Sequence, residues 1–192
     1  DDLSTINTCF AESYSESEDG NELTFVLPEG AKFSNGDTLD AEAVKASFER
    51  MKEISQYSGD IDAVTDIQVV DERTVKFVLS EPAPYMWASL GSSFSGIVNT
   101  AVAEEVGDDE FNRNAVSNGP FMVKEWKAGS EIVLEKNPNY VTANPSVENK
   151  GVMNFDQVIV RFIPDEFTRV SELESGNVDI AYDIPTSSVK SI

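Results

Sequence analysis

Between Leu23 and Met51 the hydrophobic pattern switches from strand to helix, and that switch limits the chain to a mixed fold. Leu23-Thr-Phe-Val-Leu27 alternates as a strand does. Pro28-Glu-Gly30 and Asn35-Gly36-Asp37 read as two turns, the glycines able to take positive φ. Asp40 is suited to cap a helix, and Glu42 is favourable in its first turn. Val44, Phe48 and Met51 then recur at i, i+4 and i+7, one apolar helical face. The spacing predicts a helix from Ala41 to Ile54.

The same reading continues along the chain. Residues 67–70 and 74–79 are strand patterns joined by Asp71-Glu72-Arg73, a hairpin. Pro82 and Pro84 open a short helix through Leu90. Residues 100–106 form another, followed by an acidic loop over 107–110. Residues 121–126 and 131–135 make a second hairpin, and a long loop runs from Asn137 to Gly151. A strand is expected at 157–163. A helix capped by Asp165 follows over 166–175, with Gly176 able to end it. Residues 178–182 read as a further strand. Strand, helix and strand in this order predict a right-handed βαβ crossover with parallel strands.

The 192 residues carry a net charge of −21, with 35 Asp and Glu against 14 Lys and Arg. Nucleic acid is excluded as a partner, because phosphate binding needs clustered cations. The acidity reads as a solvated surface. No apolar run approaches the roughly 18 residues of a membrane span. Cys9 is the one cysteine and is expected to be a buried or half-buried small residue.

Catalytic chemistry finds few residues to work with. There is no histidine, so Ser-His-Asp and Cys-His sites are excluded within this chain. Zinc lacks ligands. The run Ser15-Glu-Ser-Glu-Asp19-Gly20 imitates an EF-hand start, but its twelfth position is Val26 where a bidentate Glu is needed. Ser187-Ser-Val-Lys190 matches S-x-x-K without a companion K-T-G. Asn118-Gly119-Pro120 has no phosphate-loop context and reads first as a structural turn. Trp87 and Trp126 read as packing residues.

One resemblance orders these pieces. Ala11-Glu-Ser-Tyr14, Gly30-Ala-Lys-Phe-Ser-Asn-Gly36, Leu39-Asp-Ala-Glu-Ala-Val44 and Leu79-Ser-Glu-Pro82 resemble successive blocks of the bacterial extracellular solute-binding proteins of the peptide and nickel ABC-importer family, family 5. Asn118-Gly-Pro-Phe121 with Glu125-Trp126, Leu134-Glu-Lys-Asn-Pro-Asn-Tyr140, and Thr168-Arg169 with Ser175-Gly-Asn-Val-Asp-Ile180 continue the series in order. Pro28 stands where the family has a basic residue, and Val141 where it prefers Trp.

The resemblance implies an α/β, mixed α+β fold. It is that of a periplasmic-binding-protein type II-like clamp, here one partial lobe plus a satellite subdomain. Residues 1–114 would be the satellite subdomain, 115–185 part of the first ligand-binding lobe, and 186–192 the start of a crossing to a second lobe. Family members are far longer, so the chain is expected to be a fragment. Its implied role is extracytoplasmic capture of a solute, most naturally a peptide held much as an added strand, for ABC permease subunits. A monomer is expected, with no cofactor and no metal, and with lipid anchoring of the full-length protein. The alternative is the non-catalytic part of a secreted enzyme. The implied ligand-binding positions are Tyr182 and Asp183 at the end of the 178–181 strand, where α/β sheets open a crevice. Asn118, Gly119 and Phe121 are second choices.

Overall fold

A computed structural model describes residues 6–189. The chain builds two antiparallel sheets, with most of the buried core under the first. That sheet is ordered β1-β2-β4-β3, from β1 (Ser13–Glu16), β2 (Glu22–Val26), β3 (Val64–Asp71) and β4 (Thr74–Leu79). The β1–β2 turn closes at Gly20, whose φ is +72°. A Cβ there would lie 3.1 Å from the Pro82 Cβ, so both the left-handed backbone and the close approach call for glycine.

Helix α1 (Ala41–Ile54) has the predicted bounds, and the Asp40 side chain accepts from the Ala43 N–H at 2.9 Å. Its buried face is Ala41, Val44, Ser47, Phe48 and Met51. Phe48 meets Phe77 of β4 edge-on at 5.0 Å between ring centroids. Strand β4 alternates strictly, burying Val75, Phe77 and Leu79. In β3, Val64 and Ile67 are both buried although three apart, because a register shift between Val64 and Asp66 restores the inward face. Together with Leu23, Leu27, Phe33 and Ile61 these side chains make one continuous core.

Short helices α2 (Met86–Leu90) and α3 (Thr100–Val106) lie where the sequence predicts them. The acidic 107–110 segment is helical instead: α4 (Asp108–Phe111) seats Phe111 in the interior at 4% exposure. Its three acids occupy the first turn, where the helix dipole favours negative charge.

The second sheet is β5 (Phe121–Lys127), β6 (Glu131–Lys136) and β7 (Gln157–Arg161), with β6 central. Helix α5 (Glu166–Glu174) follows, capped by Asp165. Gly176 turns away at φ +70° and donates its N–H to the Leu173 carbonyl.

The predicted strand over 178–182 is absent, and so is the parallel crossover, since every strand pair among the described residues is antiparallel. Among the described residues no strand pairs with this segment, and Ile180 and Tyr182 are 71% and 79% exposed. Two other expectations also fail. Cys9 is exposed, its surroundings being a loop edge. Trp126 is largely exposed, because the outer half of β5 extends past any covering layer. The S-x-x-K Lys190 and the 190–192 end of the predicted crossing lie outside the described residues.

Candidate functional site

Asn118-Gly119-Pro120 is a turn, and asparagines knit it to its neighbours. The Asn137 side chain is fully buried; its Nδ2 donates to the Gly119 carbonyl at 2.8 Å, and its Oδ1 accepts from the Asn139 N–H at 2.8 Å. Its own N–H donates to the Pro120 carbonyl. Asn139 Nδ2 reaches the carbonyls of Phe33 and Ser34 at 3.2 and 3.3 Å. Asn99 Nδ2 donates to Asp37 at 2.8 Å. Asn suits these places because one short side chain both donates and accepts. Loops around 34, 118 and 138 are thereby held as one surface.

The N-terminal segment joins the same surface. The Thr142 hydroxyl and the Ala143 N–H both donate to the Cys9 carbonyl, at 2.6 and 2.9 Å. Between residues 6–11, the α2 region and the 118–120 and 140–142 loops lies a cavity of about 380 Å³. That falls within the size range of small-molecule sites. Its lining includes the rings of Phe10, Tyr14, Phe25 and Trp87 and the polar groups of Asn118, Tyr140 and Thr142. Trp87 stands 5.0 Å from Tyr14 and 6.0 Å from Phe25, and Phe25 is 5.8 Å from Phe77. An aromatic chain therefore runs from the core to the cavity. No Asp, Glu, Lys or Arg is among the described lining residues, which offer apolar area, amides and hydroxyls.

The predicted residues divide. Asn118 and Gly119 line the cavity. Phe121 does not; it stacks on Phe155 at 5.4 Å in the second sheet. Tyr182 and Asp183 are outside the cavity lining and exposed. They sit beyond α5, where Arg169 Nη2 donates to the Asp183 carbonyl at 2.6 Å. Missed altogether were residues 6–10 and Thr142, which carry no periodic pattern. Trp87 packs as expected, half-buried against the core.

Charge is managed at the surface, on turns and caps. The Asp62 carboxylate accepts from the Tyr85 hydroxyl and raises its pKa. The Thr168 hydroxyl and N–H hold the Asp165 carboxyl below its usual range. Glu131 and Glu125 hold the Lys127 ammonium above its own.

The family model for bacterial extracellular solute-binding proteins, family 5 Middle, matches residues 5–192. The chain belongs to this family. The probable D,D-dipeptide-binding periplasmic protein DdpA of Escherichia coli is 37% identical over 190 residues, 95% of this chain and 35% of that protein. A glutathione-binding protein GsiB of Salmonella paratyphi A is 27% identical, covering 94% of this chain and 34% of its own length. Among solved structures, the PBP AgaA from A. tumefaciens in complex with agropinic acid superposes with a TM-score of 0.83 at 34% identity. That match covers 96% of this chain and 36% of AgaA. The chain thus spans about a third of the length of the curated relatives it matches. Its mixed α and β fold is that of the periplasmic-binding-protein type II-like clamps of family 5.

Proposed function

We propose that a protein containing this chain captures a small solute outside the cytoplasm, most naturally a peptide or peptide-like molecule, and delivers it to an ABC import permease. The observation that carries this reading is the family match across residues 5–192. The relative named for D,D-dipeptides supports the peptide class. Capture needs no catalytic group, and the cavity lining supplies apolar area and neutral hydrogen-bonding groups suited to holding a solute. Affinity in such a clamp comes from contacts made better in the closed state than in the open one.

We also propose that residues 1–114 form the satellite subdomain, 115–185 part of the first ligand-binding lobe, and 186–192 the start of the crossing. The two sheets support this division, since one ends at Leu79 and the other begins at Phe121. The solute contacts would come from Asn118 and Gly119 at the cavity and from Tyr182 and Asp183 at the lobe's far end, with Phe121 supporting the turn from its stack on Phe155. The full-length protein would act as a lipid-anchored monomer.

Calorimetry on the full-length gene product with D-alanyl-D-alanine, glutathione and a mixed peptide pool tests the reading. Micromolar binding of one of them, weakened in Tyr182→Ala and Asp183→Ala by about 1–3 kcal/mol, is the expected result. Turnover of the bound solute, or no binding to any of the three, would overturn it.

A further inference from the structure

Among the described residues one non-glycine has its backbone in the left-handed region, Asp183 at φ 52°. That conformation is unfavourable for a residue with a Cβ, though Asp tolerates it better than most. Residues held in such regions persist where their surroundings over-determine them, and they gather at ligand clamps and switch segments.

A guanidinium holds this turn. Arg169 Nη2 donates to the Asp183 carbonyl at 2.6 Å. Nη1 of the same group donates to the carbonyls of Ile163 and Pro164, at 2.8 and 3.0 Å. The side chain thus ties the segment before α5 to the segment after it. Its Nε is buried without a partner, so the group is fixed by its two ends. A planar fork can span three carbonyls in this way; a lysine ammonium is a single point and cannot. Next to the pinned carbonyl, Tyr182 projects into solvent at 79% exposure.

We infer that Arg169 is a positioning residue: by fixing the Asp183 carbonyl in a left-handed turn it sets the direction in which Tyr182 and Asp183 meet a solute. The inference rests on the proposed reading of Tyr182 and Asp183 as solute contacts.

Backbone 15N relaxation on this chain tests the clamp without any ligand. Order parameters at residues 182–184 should lie in the rigid range, about 0.85, and fall below about 0.6 in Arg169→Met, while β6 keeps its values. Arg169→Lys should loosen the same three residues and provides a second variant should the first fail to fold. Unchanged order parameters at 182–184 in these variants would overturn the clamp. A uniform fall across β6 and 182–184 would also overturn it, reducing Arg169 to general stability. In the full-length gene product, calorimetry with D-alanyl-D-alanine and glutathione should show Arg169→Lys weakening affinity in the same direction as Tyr182→Ala. A loosened turn with unchanged affinity, where Tyr182→Ala does weaken binding, would overturn the positioning role. Should Tyr182→Ala leave affinity intact, the solute-contact reading fails, and with it the positioning role. The relaxation result then judges the clamp alone.

Discussion

Asn137 Nδ2 donates to the Gly119 carbonyl at 2.8 Å from a side chain that solvent does not reach. The contact joins the start of the 137–143 loop to the turn that lines the cavity. Asn137→Ala would strip the Gly119 carbonyl and the Asn139 N–H of their partners at once. Urea melts should show a loss of about 1–3 kcal/mol. Asn137→Asp keeps the acceptor for Asn139 but turns an oxygen toward the Gly119 carbonyl, and should be at least as damaging.

Phe48 should be the costliest single truncation of α1. It is 6% exposed and packs on Phe77. Phe48→Ala should cost about 3–5 kcal/mol. Trp126→Ala, at an exposed position, should stay within about 0.5 kcal/mol in the same denaturant series. Near-equal losses would mean that the two sheets share the core more evenly than the burial pattern has it.

Acid should loosen α5 through its cap. The Asp165 carboxyl accepts from the Thr168 N–H and hydroxyl, both at 2.7 Å, and its pKa is lowered mainly by the hydroxyl. A folded pKa below the unfolded value gives stability that is present above the unfolded pKa and lost as pH falls through the folded one. The stability gap between the native chain and Asp165→Asn should therefore shrink on acidification from the ordinary carboxylate range, near 3.9, downward. Urea melts at stepped pH measure it. A gap that stays constant would mean the cap acts equally well protonated.

This chain by itself should hold solutes weakly, with dissociation constants above about 1 mM for D-alanyl-D-alanine and glutathione. It spans about a third of its relatives' length, and a clamp draws contacts from two lobes. Calorimetry against the full-length gene product makes the comparison. Micromolar binding by the 192-residue chain would mean that the second lobe is not needed for the site.

What could be read beforehand, and what could not, follows from range. Helix α1 was legible to the residue because Asp40, Val44, Phe48 and Met51 are local signals that agree with one another. The 178–182 strand was misread for the opposite reason. An alternating apolar run states only that a strand would fit, and whether one forms depends on a neighbouring strand that local sequence cannot supply. The cavity rim was illegible because its fastening, Thr142 to the Cys9 carbonyl, joins positions 133 residues apart through a main-chain acceptor that has no sequence signature. The Asn118-Gly119-Pro120 turn was legible because its signal is local; the buried Asn137 behind it was not, since an asparagine in a loop looks the same exposed or buried.

The aromatic chain from Phe77 through Phe25 to Trp87 and Tyr14 also gives the molecule an optical readout. Its two tryptophans see different media: Trp87 among rings at the cavity wall, Trp126 partly in water. Replacing Trp126 by Phe would leave one emitter, seated at the wall of the cavity. Its spectrum would then follow the filling of that space in real time.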